Sequence, residues 1–462
     1  MSGSRHNVAR RELRSRATGV RVLLQHLIIT GALTLALCLL LLGGAGSERA
    51  YALEEEPYRP GQVVVKINTD VTTIVEFNDS NDTTTLDDYF ASDGIYLLEV
   101  PSSWTGSALE FADKLKNEND LSVIYAQPNF LAEAPEDPAS DGRMKARSIS
   151  STSESTDGSP DRRAARNLGL SCAAKRSQGK GSTVAVLDTG AQLKHPALQD
   201  NFKRDKGFLG YDFVGDDTNP SEPRIEGGVV GHGTHVAGIV ARVAPEAKIM
   251  PLRVLNAKGV GDVFTIAKAV SYAQRHGAHA INLSLGSSNR SETLQEIIGK
   301  AIDKGVVVVA AAGNSNNEKP HYPAAGNRGV NLEEPLSRPS TAGLLAVTSL
   351  DSSIDRDGKK SWFANFGTWV TIAAPGQKIR SAFPPDQYAN WSGTSMATPF
   401  VSGQAALIRT VDDSLDPAGI KKRIRDSARE EIYSKNPDYF LPPKLGAGQA
   451  DVCESLKLSL EG

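Results

Sequence analysis

Four short strings in the chain carry groups able to do acyl chemistry. Ser392-Gly393-Thr394-Ser395-Met396-Ala397-Thr398-Pro399 puts a hydroxyl at a loop-to-helix junction, with residues 396–408 reading as the helix. The positive end of a helix there favours negative charge developing near Ser395; a serine in that place also serves as a helix cap. Gly231-His232-Gly233-Thr234-His235-Val236-Ala237-Gly238 sets an imidazole between two glycines, at the start of an apolar run that reads as a helix. His232 and His235 are three apart, whereas a zinc peptidase helix carries His at i and i+4 with an adjacent Glu. Asp188 closes Val186-Leu187-Asp188-Thr189-Gly190, at the carboxyl end of an apolar run. Open parallel sheets gather functional groups at such ends, although alone the residue also reads as a turn or cap. Asn314 follows Ala310-Ala311-Ala312-Gly313; its side-chain N–H pair suits an oxyanion hole, and a left-handed turn residue is the plainer reading.

Together the four groups make a coherent set. A serine hydroxyl is a weak nucleophile until a neutral imidazole takes its proton during attack. We assign that base to His232, with Asp188 holding the other ring nitrogen. Asn314 and the backbone N–H of Ser395 are then the donors for the tetrahedral oxyanion.

Elements of one kind must position these groups. Residues 183–187 (TVAVL) form an apolar run without polar alternation, as expected of a strand buried on both faces. Residues 247–254, 280–285, 306–311, 344–347 and 370–373 are similar. Helical stretches at 263–276 and 292–304 lie between them, and Asp416-Pro417 supplies an N-cap and first-turn proline for a last helix. Strands alternating with helices predict an α/β fold, a mostly parallel sheet with helices on both faces.

The remainder reads differently. Arg10, Arg11, Arg14, Arg16 and Arg21 precede an apolar run at 27–42, and Ala50-Tyr51-Ala52 matches a small-x-small cleavage pattern. This is the layout of a secretory signal, cut after Ala52; an uncleaved membrane anchor is the competing reading. Residues 54–133 read as a small α+β unit, with strands at 62–67 (QVVVKI), 94–100 (GIYLLEV) and 121–125, the last ending before Pro128. Ala108, Phe111, Ala112 and Leu115 recur there at helical spacing. From 134 to 163, Ser, Asp, Pro, Glu and Arg dominate, which reads as a flexible linker open to proteolysis. A net charge of −3 gives no reason to expect nucleic acid as a partner. Cys172 and Cys453 flank the C-terminal region, where they pair in an oxidising compartment or remain buried thiols. No Cys/His spacing of a metal site is present.

The four strings, in the order Asp, His, Asn, Ser over residues 167–451, resemble the subtilase family of serine peptidases. The resemblance implies a three-layer subtilisin-like fold, preceded by a small α+β, ferredoxin-like propeptide domain. The implied organisation is a signal peptide at 1–52, an inhibitor-type propeptide at 53–133, a linker and processing region at 134–166, and a catalytic domain at 167–462. Residues 124–130 (IYAQPNF) stand in place of the propeptide's usual final strand. The implied activity is a secreted serine endopeptidase, acting through an acyl-enzyme and made as a self-inhibited zymogen. Substrate would lie as an extended strand between Ser284-Leu285-Gly286 and Lys258-Gly259-Val260.

Ala311, Ala312 and Gly313 would wall the primary specificity pocket. His321, before Tyr322-Pro323, would stand at its floor, either narrowing it or favouring acidic or polar side chains at low pH. Catalysis would need no cofactor. Asp212, Asp216 and Asp217 resemble an acidic calcium loop of some members, but Gly215 stands where a carboxylate is expected. The implied partners are protein or peptide substrates and the chain's own propeptide, with a monomer as the working state and membrane association limited to the N-terminal segment. Maturation falls between 133 and 166. Self-processing is expected there, although Arg143, Lys145, Arg147, Arg162, Arg163 and Arg166 would admit a trypsin-like activator. A transpeptidase or macrocyclase on the same triad is the rival enzyme, and a non-catalytic binding protein the rival from another class. The loop at 326–342 looks longer than in compact relatives.

Overall fold

The computed structural model describes residues 56–118, 121–135, 147–149, 160–204, 207–208, 210–223, 229–326 and 341–457. The leader, the apolar run at 27–42, Ala52, Arg143, Lys145 and most of the 326–342 loop lie outside the described residues.

The all-apolar runs become a seven-stranded parallel sheet. Its order is Ile372–Pro375, Leu344–Leu350, Val307–Ala311, Ala280–Leu283, Thr183–Asp188, Lys248–Arg253 and Tyr211–Asp212. Every residue of Thr183–Asp188 is buried, because helices cover both faces of the sheet. His232–Val243 packs on Thr394–Val411 on one face, and Val263–Arg275 packs on Glu292–Asp303 on the other. The two-residue strand Tyr211–Asp212 is too short to leave a sequence pattern.

Residues 58–133 form a four-stranded antiparallel sheet in the order Val123–Glu133, Tyr58–Ile67, Ile95–Glu99, Thr84–Phe90. The helix Ala108–Glu118 buries Phe111, Ala112 and Leu115, the spacing that predicted it. Two elements escaped the sequence pattern. Ile74–Asn81 is a helix started by a Thr73/Glu76 capping box. Thr84–Phe90 is a sheet-edge strand with no strong apolar alternation.

The last strand also runs through Pro128 to Glu133, instead of ending before it. At Pro128 the strand pairs with Val63 on one side and with no strand on the other, the edge setting in which a proline is tolerated. Beyond it, residues 131–133 pair antiparallel with Val260–Asp262, which adds a fifth strand to this sheet.

This N-terminal sheet rests on the start of two helices. Asn129 Oδ1 accepts from Phe264 N at 3.2 Å, and Gln127 Oε1 accepts from Glu292 N at 2.8 Å. Both amides belong to first turns that lack intrahelical partners. Lys66 pairs with Glu296 at 2.7 Å beside them.

The composition of 134–166 reads as linker throughout, yet Pro160–Asn167 is a docked helix. Ala164 and Leu168 are buried, Asp161 pairs with Arg242, and Arg163 Nε donates to Ser352 O at 2.9 Å. The partners come from distant parts of the chain, so local composition does not reveal them. Cys172 and Cys453 form a disulfide, with Cα atoms 5.5 Å apart.

Candidate active site

Asp188 is the last residue of its strand, and its carbonyl accepts from Val254 N at 2.9 Å and Leu255 N at 3.1 Å. Its Oδ1 accepts from Thr189 N and from His232 Nδ1, each at 2.7 Å. A carboxylate can only accept, so Nδ1 carries the proton and Nε2 is left as the basic nitrogen. Both side chains are 0% exposed. His232 opens the helix His232–Val243, and its ring meets that of Trp391 at a right angle with centroids 5.2 Å apart. The approach of this helix depends on Gly233, because a Cβ there would lie 2.0 Å from the carbonyl oxygen of Gly190.

His235 points elsewhere. Its Nε2 meets the carbonyls of Ile379 and Ala389, each at 3.1 Å. Two acceptors require Nε2–H, so His235 is a buried donor and not half of a metal pair with His232.

Ser395 lies in the first turn of Thr394–Val411. Pro399 has no N–H to return to the Ser395 carbonyl, which the helix would otherwise use. Ser284 Oγ donates to that carbonyl instead, at 2.9 Å. Asn282 Nδ2 donates to Ser284 Oγ at 2.9 Å, and Ser402 Oγ donates to Asn282 Oδ1 at 2.9 Å. The start of the serine helix is thereby fixed to the strand Ala280–Leu283. Ser395 Oγ donates to the carbonyl of Ser284 at 3.2 Å.

Asn314 is oriented by a residue that sequence reasoning passed over. Thr394 N donates to Asn314 Oδ1 at 2.9 Å and Thr394 Oγ1 donates to it at 3.0 Å, while that hydroxyl accepts from Gly313 N at 3.1 Å. With Oδ1 taken by donors, the Asn314 NH₂ must point away, into the cleft. It donates there to the carbonyl oxygen of Pro135 at 3.1 Å.

The residues before Pro135 occupy the cleft as an added strand. Glu133 N donates to Gly286 O at 2.8 Å and Gly286 N donates to Glu133 O at 2.9 Å. On the other rim Ala134 N donates to Gly259 O at 2.9 Å, and Glu133 pairs with Val260. Gly259 and Gly286 thus lie along one extended segment, while Ser284 and Leu285 are buried. Pro135 itself carries no N–H, and gave no sequence signal because its place depends on strand register.

His321, expected at a pocket floor, lies between Gly286 and Gly313. A Cβ on Gly286 would lie 2.2 Å from its Nε2, and one on Gly313 would lie 3.1 Å from its ring. The imidazole therefore fills the space between the Gly286 and Gly313 backbones. Burial alone pushes its pKa down to about 4.

The acidic loop does not make a cation cage. Asp212 Oδ2 pairs with Arg253 at 2.6 Å, and its Oδ1 accepts from Val214 N and Gly215 N at 2.8 Å each. Asp216 accepts from Tyr211 Oη at 2.8 Å, and Asp217 Oδ1 accepts from Asn219 N at 2.7 Å. Among the described residues, no group of three or more His, Cys, Asp and Glu is disposed to hold a metal ion.

A further carboxylate, Glu222, escaped the sequence reading. It accepts from Thr189, Thr234, Gly231 and Gly233, which flank Asp188 and His232. It sits in a polar, proline-containing loop with no periodicity to mark it.

The family model described as the subtilase family matches residues 179–448, and that of the fervidolysin N-terminal prodomain matches residues 45–129. Thermitase of Thermoactinomyces vulgaris is 38% identical over 284 residues, covering 59% of this chain and 90% of thermitase. Subtilisin Savinase of Lederbergia lenta is 36% identical over 274 residues, covering 57% of this chain and 87% of its own. Among solved structures, fervidolysin from Fervidobacterium pennivorans superposes with a TM-score of 0.66 at 22% identity, over 87% of this chain and 62% of that one; the likeness is one of fold. The parallel sheet, the prodomain match and the relatives agree, and the chain belongs to the subtilase family as a subtilisin-like serine endopeptidase with an N-terminal prodomain.

Proposed function

We propose that the protein is an exported zymogen whose triad is Asp188, His232 and Ser395, with Asn314 and the Ser395 N–H as oxyanion donors. One observation carries this reading: the Pro135 carbonyl accepts from Asn314 while Glu133 and Ala134 pair with Gly286 and Gly259. An inhibitory segment that mimics substrate would lie in this way, and it assigns Pro135 to the acyl side of the first bond cut.

Ser395 Oγ attacks the Pro135 carbonyl carbon, and His232 Nε2 takes the hydroxyl proton. Asp188 stabilises the imidazolium that forms. The oxyanion gathers its charge next to Asn314 Nδ2. Collapse breaks the Pro135–Glu136 C–N bond, and His232 returns the proton to the leaving nitrogen. Water, deprotonated by His232, then releases the acyl group and restores Ser395. Members of the family need no cofactor for catalysis, and no step here passes through a metal. The family commonly binds structural calcium, but Asp212, Asp216 and Asp217 do not fit that role, since Arg253 already neutralises Asp212.

Other substrates would bind in the same extended register, through main-chain hydrogen bonds that impose little sequence selectivity. With His321 neutral and filling the pocket, small side chains fit at the position of Pro135.

The test is to incubate the purified proform beside a Ser395→Ala version and follow mass and N-terminus. The expected product begins at Glu136, and the variant stays whole. Processing of Ser395→Ala at the same rate, or a wild-type product beginning after Arg162, Arg163 or Arg166, would sink self-cleavage at Pro135.

A further inference from the structure

The hydrolytic steps leave unused a carboxylate close to Asp188 and His232. Ser221, the residue before Glu222, pairs with Ala191, just beyond the strand that ends in Asp188. Glu222 Oε1 accepts from Thr189 Oγ1 at 2.5 Å and from Gly231 N and Gly233 N at 3.1 Å each, and Oε2 accepts from Thr234 Oγ1. Thr189 follows Asp188 directly, Gly231 and Gly233 flank His232, and Thr234 comes next on the same helix. One carboxylate thus grips both segments whose side chains meet in the Asp188–His232 hydrogen bond.

The protons in this cluster have fixed directions. Thr189 Oγ1 accepts from Gly233 N at 3.0 Å, and Thr234 Oγ1 accepts from Gln192 N at 2.8 Å. Each hydroxyl therefore turns its one proton to Glu222, and the two peptide N–H groups can only donate. Four donors on two oxygens is the pattern of an ionised carboxylate. Burial pushes the Glu222 carboxyl up to about 7, with Asp188 adding to the rise and the threonines and His232 opposing it. The titratable groups that face it are Asp188 from the strand and His232 from the helix, with His235 coupled to His232 from the same helix.

We infer that Glu222 is a positioning residue that clamps the His232 helix to the Asp188 strand and sets a second negative charge near the imidazole. The inference rests on the triad reading above. During attack the imidazole gains a proton, and a negative charge held nearby stabilises that form. Neutralising the charge makes His232 harder to protonate. The acid limb of the rate profile, where the base is lost to protonation, then moves to lower pH.

The experiment is the pH profile of kcat/KM for the matured enzyme on a peptide substrate, in wild type, Glu222→Gln, Glu222→Asp and Thr234→Val. Glu222→Gln keeps the shape and removes the charge. Its acid midpoint is expected to fall by less than about one pH unit, because the wild-type carboxyl itself gains a proton as pH drops below about 7, with kcat reduced about tenfold and KM little changed. Thr234→Val and Glu222→Asp keep the charge and loosen the clamp, so kcat falls while the midpoint stays. A Glu222→Gln midpoint equal to wild type overturns the inference, as does a Glu222→Asp midpoint that shifts as though the charge were gone. Should Glu222→Gln not fold, the neutral Glu222→Ser takes its place, with the same fall in midpoint expected and an unmoved midpoint overturning the inference. Ser395→Ala is measured in parallel. If it is inactive while the Glu222 variants leave the midpoint unmoved, only this inference fails; if it retains turnover, the triad reading falls with it.

Discussion

The side-chain amide of Asn314 donates to the carbonyl oxygen of Pro135 at 3.1 Å, with its own Oδ1 held by the N–H and hydroxyl of Thr394. The donor is oriented before any charge develops, which is the condition for strong oxyanion stabilisation. Replacing Asn314 with Leu is expected to lower kcat by roughly 10²–10³ and leave KM nearly unchanged. Thr394→Val should lose less, because the Thr394 N–H still holds Oδ1. Steady-state kinetics on enzyme freed of its prodomain checks both. A kcat within twofold of wild type for Asn314→Leu rules out the oxyanion role.

Pro135 offers no N–H to the rim, and Ser395 Oγ donates to the Ser284 carbonyl at 3.2 Å. Under the triad reading, an alanine in its place offers that carbonyl an N–H in place of the Ser395 hydroxyl, whose proton is the one His232 takes. Self-processing of Pro135→Ala should therefore run faster by about tenfold, the worth of one hydrogen bond. Time courses of the two proforms, read by intact mass, decide the matter; equal or slower processing contradicts it.

His321 bears on which side chains enter the pocket. Its ring lies where a Gly286 Cβ would clash, and it is neutral above about pH 4. Between a narrowed pocket and one that recruits acidic groups, the geometry favours narrowing. His321→Gly is expected to extend cleavage to large apolar side chains, raising kcat/KM for them by about tenfold or more. Identical cleavage-site profiles for the two enzymes would remove His321 from specificity.

The candidate site was more legible in the sequence than the residues that support it. Asp188, His232, Asn314 and Ser395 each sit in a short string whose small neighbours and place after a strand or at a helix start are local facts. Glu222 is invisible in that way, because its meaning comes from Thr189 and Thr234, which the fold brings to it. Pro135 depends on a register set by the strand crossing Pro128 and pairing at Val260–Asp262. The helix Pro160–Asn167 is anchored by little apolar surface and by an Asp161–Arg242 pair far apart in sequence, so its composition reads as linker. The all-apolar strands were plain throughout, since burial on both faces leaves only one kind of residue to choose from.

Buried histidines give the folded state a pH limit. Burial pushes His235 down to about 3 and His321 down to about 4, against roughly 6.5 in an unfolded chain. Between those values the unfolded chain binds more protons, so stability rises with pH across the window. The contribution is complete above about 6.5 and is lost as pH falls toward the folded values. Urea unfolding of the Ser395→Ala protein, which cannot digest itself under the triad reading, should show a loss on the order of a few kcal/mol between pH 6.5 and 4. His235→Gln should flatten that slope. A slope unchanged by the substitution would place the acid sensitivity elsewhere.

The disulfide between Cys172 and Cys453 closes a loop with a sequence separation of 281 residues. It joins the short helix Leu170–Ala173 to the short helix Val452–Ser455, where Val452 N also donates to Leu168 O at 3.0 Å. A cross-link of that span removes much freedom from the unfolded chain, up to roughly 5 kcal/mol on the chain-entropy model. Both cysteines follow Pro135, so cleavage there leaves the tie intact, and it stabilises proform and mature enzyme alike. Replacing both with Ser should lower Tm by on the order of 10 °C in each form. Scanning calorimetry in the Ser395→Ala background measures it. A drop confined to the proform would mean that the bond acts through the prodomain, and no drop in either would mean that docking of residues 160–173 is secured without it.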